Sequence, residues 1–121
     1  MKDICVYAQV HQPYRLSRYR VFDIGSGGDY FDTETNRRIL RRVADKCYLP
    51  ANRLLAEQIR RSGGEFKLAL SLSGALLDQC AEWAPDVLES FQELVGTGGV
   101  ELLAETHFHS LAALASAEEF L

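Results

Sequence analysis

The stretch "VYAQVHQPYRL", residues 6–16, begins as an apolar strand and breaks at Pro13, with a histidine and a glutamine standing at the break. The strand reads back to residue 3. In "DICVYAQV", residues 3–10, Ile4, Cys5, Val6, Tyr7 and Val10 form a nearly continuous apolar run, the pattern of a strand covered on both faces. Pro13 has no N–H to give to a ladder and closes the strand. Two strands of the same kind follow, "FKLALSLS" at 66–73 and "VELLAET" at 100–106.

Between the strands lie helical patterns. Ile39, Leu40, Val43, Ala44, Cys47 and Tyr48 recur on one helical face, capped by Thr33 or Thr35. Pro50 starts a second helix with Leu54, Leu55 and Ile59 inward, and "SGG" at 62–64 stops it. After the second strand comes a short helix with Leu76, Leu77 and Cys80. Pro85 opens another, carrying Val87, Leu88, Phe91, Leu94 and Val95, and Gly96, Gly98 and Gly99 end it. Strands joined by helical crossovers are parallel, so the fold class is α/β. Residues 14–33 form a long loop with four aromatics (Tyr19, Phe22, Tyr30, Phe31), either a lid or a packed surface loop. Trp83 belongs with the core.

Composition narrows the function. The 121 residues are 47% hydrophobic and 25% charged, enough for one small core. No run of about 18 apolar residues occurs, and the amino terminus lacks signal-peptide features, so no membrane partner is expected. Cys5, Cys47 and Cys80 are odd in number and far apart, which points to a reducing cytoplasm. Charge is uneven: residues 1–60 hold 11 Lys/Arg against 7 Asp/Glu, and residues 61–121 hold 2 against 10. The basic stretch "NRRILRRVADK" alternates arginines with apolar residues at helical spacing. It reads as the wet face of an amphipathic helix, and nucleic-acid binding is not expected.

In parallel α/β folds ligands sit beyond the carboxyl ends of the strands. There the first strand offers Gln9, His11 and Gln12, the second Ser71 and Ser73, and the third Glu105, His107 and His109. The polar groups line a site, while the apolar stretches fill the core. Ser71 and Ser73 read better as caps of the following helix. His107 and His109, two apart, can hold zinc together with His11 and Glu105, though no H-E-x-x-H or C-x-x-C frame supports them. No G-x-S-x-G is present, and "GSGG" at 25–28 follows no strand and opens no helix, so no cofactor is expected.

"HQPYRL" at 11–16, "FDIGSGGDYFD" at 22–32 and "GGVELLAETHFHSL" at 98–111 together resemble the amino-terminal part of glycoside hydrolase family 57, nearest its α-amylase-type branch, from Met1 to Leu121. The resemblance implies the first part of an incomplete (β/α)7, TIM-like barrel. It implies an enzyme that cleaves or transfers α-glucosidic bonds in starch- and glycogen-like glucans with retention, and a glucan or oligosaccharide as partner. His11 and Gln12 fall on one matched region and Glu105 and His109 on another, both lining the cleft. The family's nucleophilic glutamate and its aspartate acid/base belong to later regions, so residues 1–121 carry no catalytic residue. The rim agrees with what the resemblance implies: a retaining glycosidase needs two carboxylates about 5 Å apart, and this rim offers Glu105 alone. His11, Gln12, Glu105 and His109 suit sugar hydroxyls, with Tyr14 or Phe108 offering an apolar face, so such a rim binds part of a glucan without cleaving it. Aromatic residues are expected between Thr106 and His109, where this chain has His107 and Phe108; stacking at 107 is thereby in question.

Ser116 and Glu119 match a capping box that announces a helix, yet the chain stops at Leu121. Three parallel strands leave open edges. Residues 1–121 are accordingly expected to be the front of a longer protein, an incomplete domain whose edges meet the rest of the barrel or another copy. Two rivals are a metal-dependent hydrolase or deacetylase on a related barrel and a non-catalytic carbohydrate-binding module.

Overall fold

The structure is a computed structural model that describes residues 4–116 and 118. Its three strands, β1 (Tyr7–Val10), β2 (Leu68–Leu72) and β3 (Val100–Leu103), form one sheet in the order β1-β2-β3. Both pairings are parallel, as the helical crossovers predict. Tyr7 stands beside Ala69 and Ala69 beside Glu101; Gln9 stands beside Ser71 and Ser71 beside Leu103. Paired residues point to the same face, so each face can be read straight across the sheet.

One face packs on helices α1 (Thr33–Val43), α2 (Leu49–Arg61), α3 (Gly74–Trp83) and α4 (Pro85–Gly96); a short α5 (Ala112–Ala115) follows β3. The core there joins Leu68 and Leu70 of β2 to Leu40, Ala44, Tyr48, Ile59, Leu76, Val87, Phe91 and Leu94, with Val10, Leu72, Val100 and Trp83 packed against it. Leu40, Ala44 and Tyr48 are four residues apart, one helical stripe. Among the described residues no helix lies on the other face of the sheet, which carries Tyr7, Gln9, Glu101 and Leu103, each of them exposed. Only β2 is therefore largely buried. The expected strand from residue 3, covered on both sides, shrinks to Tyr7–Val10 with Ile4 89% exposed; Asp3 lies outside the described residues. The apolar run is present but nothing among the described residues covers its second side. The sheet is not closed: it is an α/β partial barrel with β1 and β3 at its edges.

Several local expectations are corrected. The cap of α1 is Asp32, not Thr33 or Thr35; its carboxylate accepts from the Thr35 N–H at 2.9 Å. The two helices before β2 are not separated by a break. A π turn at Ala44–Tyr48 joins them, and the Leu49 N–H reaches back to the Ala44 carbonyl. Pro50 has no N–H for an α-type bond, and the widened turn accommodates it. The extra residue rotates the stripe, so Cys47 and Leu54 are exposed rather than inward. Asn36 and Asn52 are buried instead, each hydrogen-bonded: Asn36 holds both the N–H and the carbonyl of Arg15, and Asn52 donates to Ser90 of α4 at 2.9 Å.

Of the four arginines on α1, Arg37, Arg38 and Arg42 are exposed, while Arg41 bridges Asp45 and Asp86. Ser116 is the residue that ends α5; its expected capping partner Glu119 lies outside the described residues. Among the described residues no helix is long and apolar enough to cross a membrane.

Candidate functional site

The carboxyl ends of the three strands deliver polar side chains to one place, and Gln9 is the hub. Its amide nitrogen lies 2.8 Å from Glu105 Oε2 and 2.8 Å from His109 Nδ1, joining residues nearly a hundred positions apart. His109 Nδ1 is 3.2 Å from the same carboxylate oxygen. The His11 and His109 rings lie 5.1 Å apart, tilted by 41°. His11 Nδ1 is 2.7 Å from the Ser73 hydroxyl.

These contacts assign the imidazole protons. Ser73 is fully buried, and its Oγ already accepts the Leu76 N–H that starts α3. Its own proton needs an acceptor, and His11 Nδ1 is the one in reach, so the proton of neutral His11 sits on Nε2. A Gln amide nitrogen only donates. With Gln9 donating one hydrogen to Glu105 and one to His109 Nδ1, neutral His109 likewise carries its proton on Nε2.

Glu105 is the unusual group. Its side chain is only 9% exposed. Oε2 accepts from Gln9, but Oε1 is buried and has no hydrogen-bond partner among the described residues. A buried carboxylate oxygen left unsatisfied costs free energy until a donor arrives.

The loop after β3 is shaped to bring His109 back over Glu105. The Thr106 carbonyl accepts the His109 N–H at 3.1 Å and the Thr106 hydroxyl accepts the Ser110 N–H at 2.6 Å. This tight turn forces His109 to φ +55°, a left-handed conformation that a non-glycine residue seldom holds.

Two of the five residues singled out in the sequence stand aside from the cluster. The His107 Nε2 lies 2.9 Å from Asp78 on α3, and its carbonyl accepts the Ala75 N–H at 2.9 Å. Gln12 is buried, its amide oxygen facing the Arg15 guanidinium at 3.1 and 3.3 Å when the amide is oriented to satisfy both groups; its carbonyl accepts from Gln79 Nε2 at 2.6 Å. Both fasten site loops to α3. Ser73 caps α3 as expected. Ser71 does not; it stays on β2 within 3.2 Å of the Tyr7 hydroxyl. The sequence places Gln9 on the rim with His11 but not among the residues suited to sugar hydroxyls, although its place two residues before His11 puts it on the same strand face. Among the described residues no three His, Cys, Asp or Glu groups are arranged to hold a metal ion.

The sequence profile of Glycosyl hydrolase family 57 matches residues 5–121. The chain belongs to glycosyl hydrolase family 57. A curated relative, "Putative alpha-amylase" of Methanocaldococcus jannaschii, is 40% identical over 116 residues, covering 92% of this chain and 24% of its own length. The chain thus spans about a quarter of that relative. No solved structure matches it. In this family-57 chain the regions around His11 and around Glu105–His109, picked out separately in the sequence, meet through Gln9 in a single cluster.

Beside the cluster lies a cavity of about 240 Å³ lined by His11, Tyr14, Phe31 and Phe108. A larger groove, about 880 Å³, opens at the opposite pole along Ile4, Val6, Phe66, Leu68 and Val100. Its size reflects the unclosed sheet. It lies at the amino ends of the strands, where α/β folds do not place ligands. The smaller rim is the better candidate.

Proposed function

We propose that this chain forms the first three strands of the catalytic barrel of an α-glucan-active glycoside hydrolase, of α-amylase or 4-α-glucanotransferase type, and one wall of its sugar cleft. Glu105, His109, His11 and Gln9 bind hydroxyls of a glucosyl unit; Gln12 and His107 hold the surrounding loops. The observation that carries the reading is the buried, unpartnered Oε1 of Glu105, which a sugar O–H would satisfy. The Nε2–H edges of His11 and His109 are donors suited to neighbouring sugar oxygens. A retaining mechanism needs a nucleophile and an acid/base about 5 Å apart. Glu105 is held by Gln9 as an acceptor, and one carboxylate cannot fill both roles. The nucleophile and acid/base come from barrel segments outside residues 1–121, and the bare sheet face and the open edges of β1 and β3 are where those segments pack. The three unbridged thiols suit a reducing compartment such as the cytoplasm.

Calorimetric titration of the 121-residue chain with maltotriose tests this. Binding that weakens at least tenfold in Glu105→Gln, with no release of glucose or maltose, is the expected result. Unchanged binding in that variant, or glucan hydrolysis by the purified chain, would overturn it.

A further inference from the structure

The cavity beside His11 is walled by aromatic rings from three separate segments. Tyr14 follows β1, Phe31 closes the long loop, and Phe108 follows β3. Two of these rings are fixed from behind. Tyr14 meets Phe31 at 4.9 Å between centroids and meets Trp83 edge-on at 6.4 Å. Phe31 is held by an antiparallel bridge to Leu16, and the flanking peptides are clamped by the bonds Ser17 N–H to Tyr30 carbonyl and Asp32 N–H to Arg15 carbonyl, both 2.8 Å. Phe108 packs edge-on against the anchored His107 ring at 4.5 Å. Despite this, Phe31 is 46% and Phe108 66% exposed. The loop is held in place while its ring faces remain in water.

We propose that Tyr14, Phe31 and Phe108 form a second glucosyl subsite, next to the Glu105 cluster and continuous with it through His11. The inference rests on the α-glucan reading above and deepens it. A pyranose chair presents flat C–H faces and a rim of equatorial hydroxyls. Such a ligand is matched by apolar rings with a few polar groups at one edge. The cavity fits that description: no carboxylate, lysine or arginine lines it, and its polar edge is His11. Its volume of about 240 Å³ suits one sugar ring. The ligand is accordingly neutral and at least two units long, one unit on Glu105 and its neighbour on the rings. The stacking expected at position 107 is supplied one residue later, by Phe108, because His107 is turned onto α3.

The test compares maltose with methyl α-glucoside on the 121-residue chain. Phe31→Ala and Phe108→Ala should each weaken maltose binding about tenfold, the loss expected for one exposed ring face, and leave methyl α-glucoside binding unchanged. Phe31→Tyr and Phe108→Tyr should keep maltose affinity, which separates lost stacking from lost folding. Glu105→Gln should weaken both ligands. If Glu105→Gln weakens both but the two alanine variants bind maltose like the wild type, the subsite is overturned and the α-glucan reading stands. If the alanine variants lose maltose while Glu105→Gln changes nothing, the reading of Glu105 fails and the aromatic subsite stands. A wild-type chain that binds neither ligand, or a leucyl tripeptide that displaces maltose, would overturn the subsite.

Discussion

Gly74 opens α3 directly against His107, and Gly74→Ala should be costly for a reason helix propensity does not contain. A Cβ built on Gly74 falls into the His107 ring, against Nδ1, with Cγ 2.5 Å and Cε1 2.6 Å away. The ring cannot move aside freely. Asp78 holds Nε2, the Ala75 N–H holds the residue's carbonyl, and Phe108 packs on its face. Forcing a methyl into such a contact costs about 1–3 kcal/mol. Losing the Ala75 hydrogen bond adds about 1 kcal/mol, and the half-exposed His107–Asp78 pair adds at most about 1 kcal/mol. Against this stands a helix gain of at most about 1 kcal/mol for replacing glycine. The net expectation is a destabilisation of about 1–5 kcal/mol. Urea unfolding of the wild type, Gly74→Ala, His107→Ala and the double variant measures it. In the His107→Ala background the clash is gone, so Gly74→Ala should be neutral or stabilising, a coupling of about 2–5 kcal/mol. Gly74→Ala as stable as the wild type, or equally costly in both backgrounds, would refute the packing described for the site loop.

Three further outcomes are expected. The Thr35 peptide N–H, then its hydroxyl, hold the Asp32 carboxyl below its ordinary value; the stabilisation is therefore complete above the unfolded value near pH 4 and lost as pH falls through the lower folded value. Denaturation at several pH values should show Asp32→Ala less stable than the wild type at pH 7, with the gap closing below about pH 4. Ser73→Ala should cost about 1–2 kcal/mol as a lost cap, and should also shift the His11 imidazole nitrogen resonances, because the hydroxyl that fixes its tautomer is gone; a change in stability with those resonances unmoved would contradict the assigned proton. Burial pushes the Cys80 thiol up to about 11, so at pH 8 a thiol reagent should label exposed Cys5 and Cys47 quickly and Cys80 only on unfolding.

The parts legible in the sequence were those governed by simple period and end chemistry. Strand, helices, strand, helices, strand gave the parallel sheet, and Ser73 and Pro85 marked the starts of α3 and α4 where they occur. Convergence of His11, Glu105 and His109 followed from strand direction alone. What stayed hidden depends on three-dimensional context. The π turn before Pro50 shifts the helical face by one residue, and no periodicity rule for straight helices finds Cys47 and Leu54 outside. Asn36 and Asn52 are polar, yet each is buried because a specific partner waits for it. Strand β1 has the composition of a covered strand and only one covered face, since burial depends on neighbours the strand does not itself encode. His107 read as a rim residue, but the missing Cβ of Gly74 leaves room for it on α3.

The most direct test of the account is nitrogen and side-chain NMR of the labelled 121-residue chain titrated with maltotriose. The account predicts saturable shifts at Gln9, His11, Glu105 and His109, with Phe31 and Phe108 moving alongside. Shifts confined to Ile4, Phe66 and Gly98 at the opposite pole, or none at all, would contradict it.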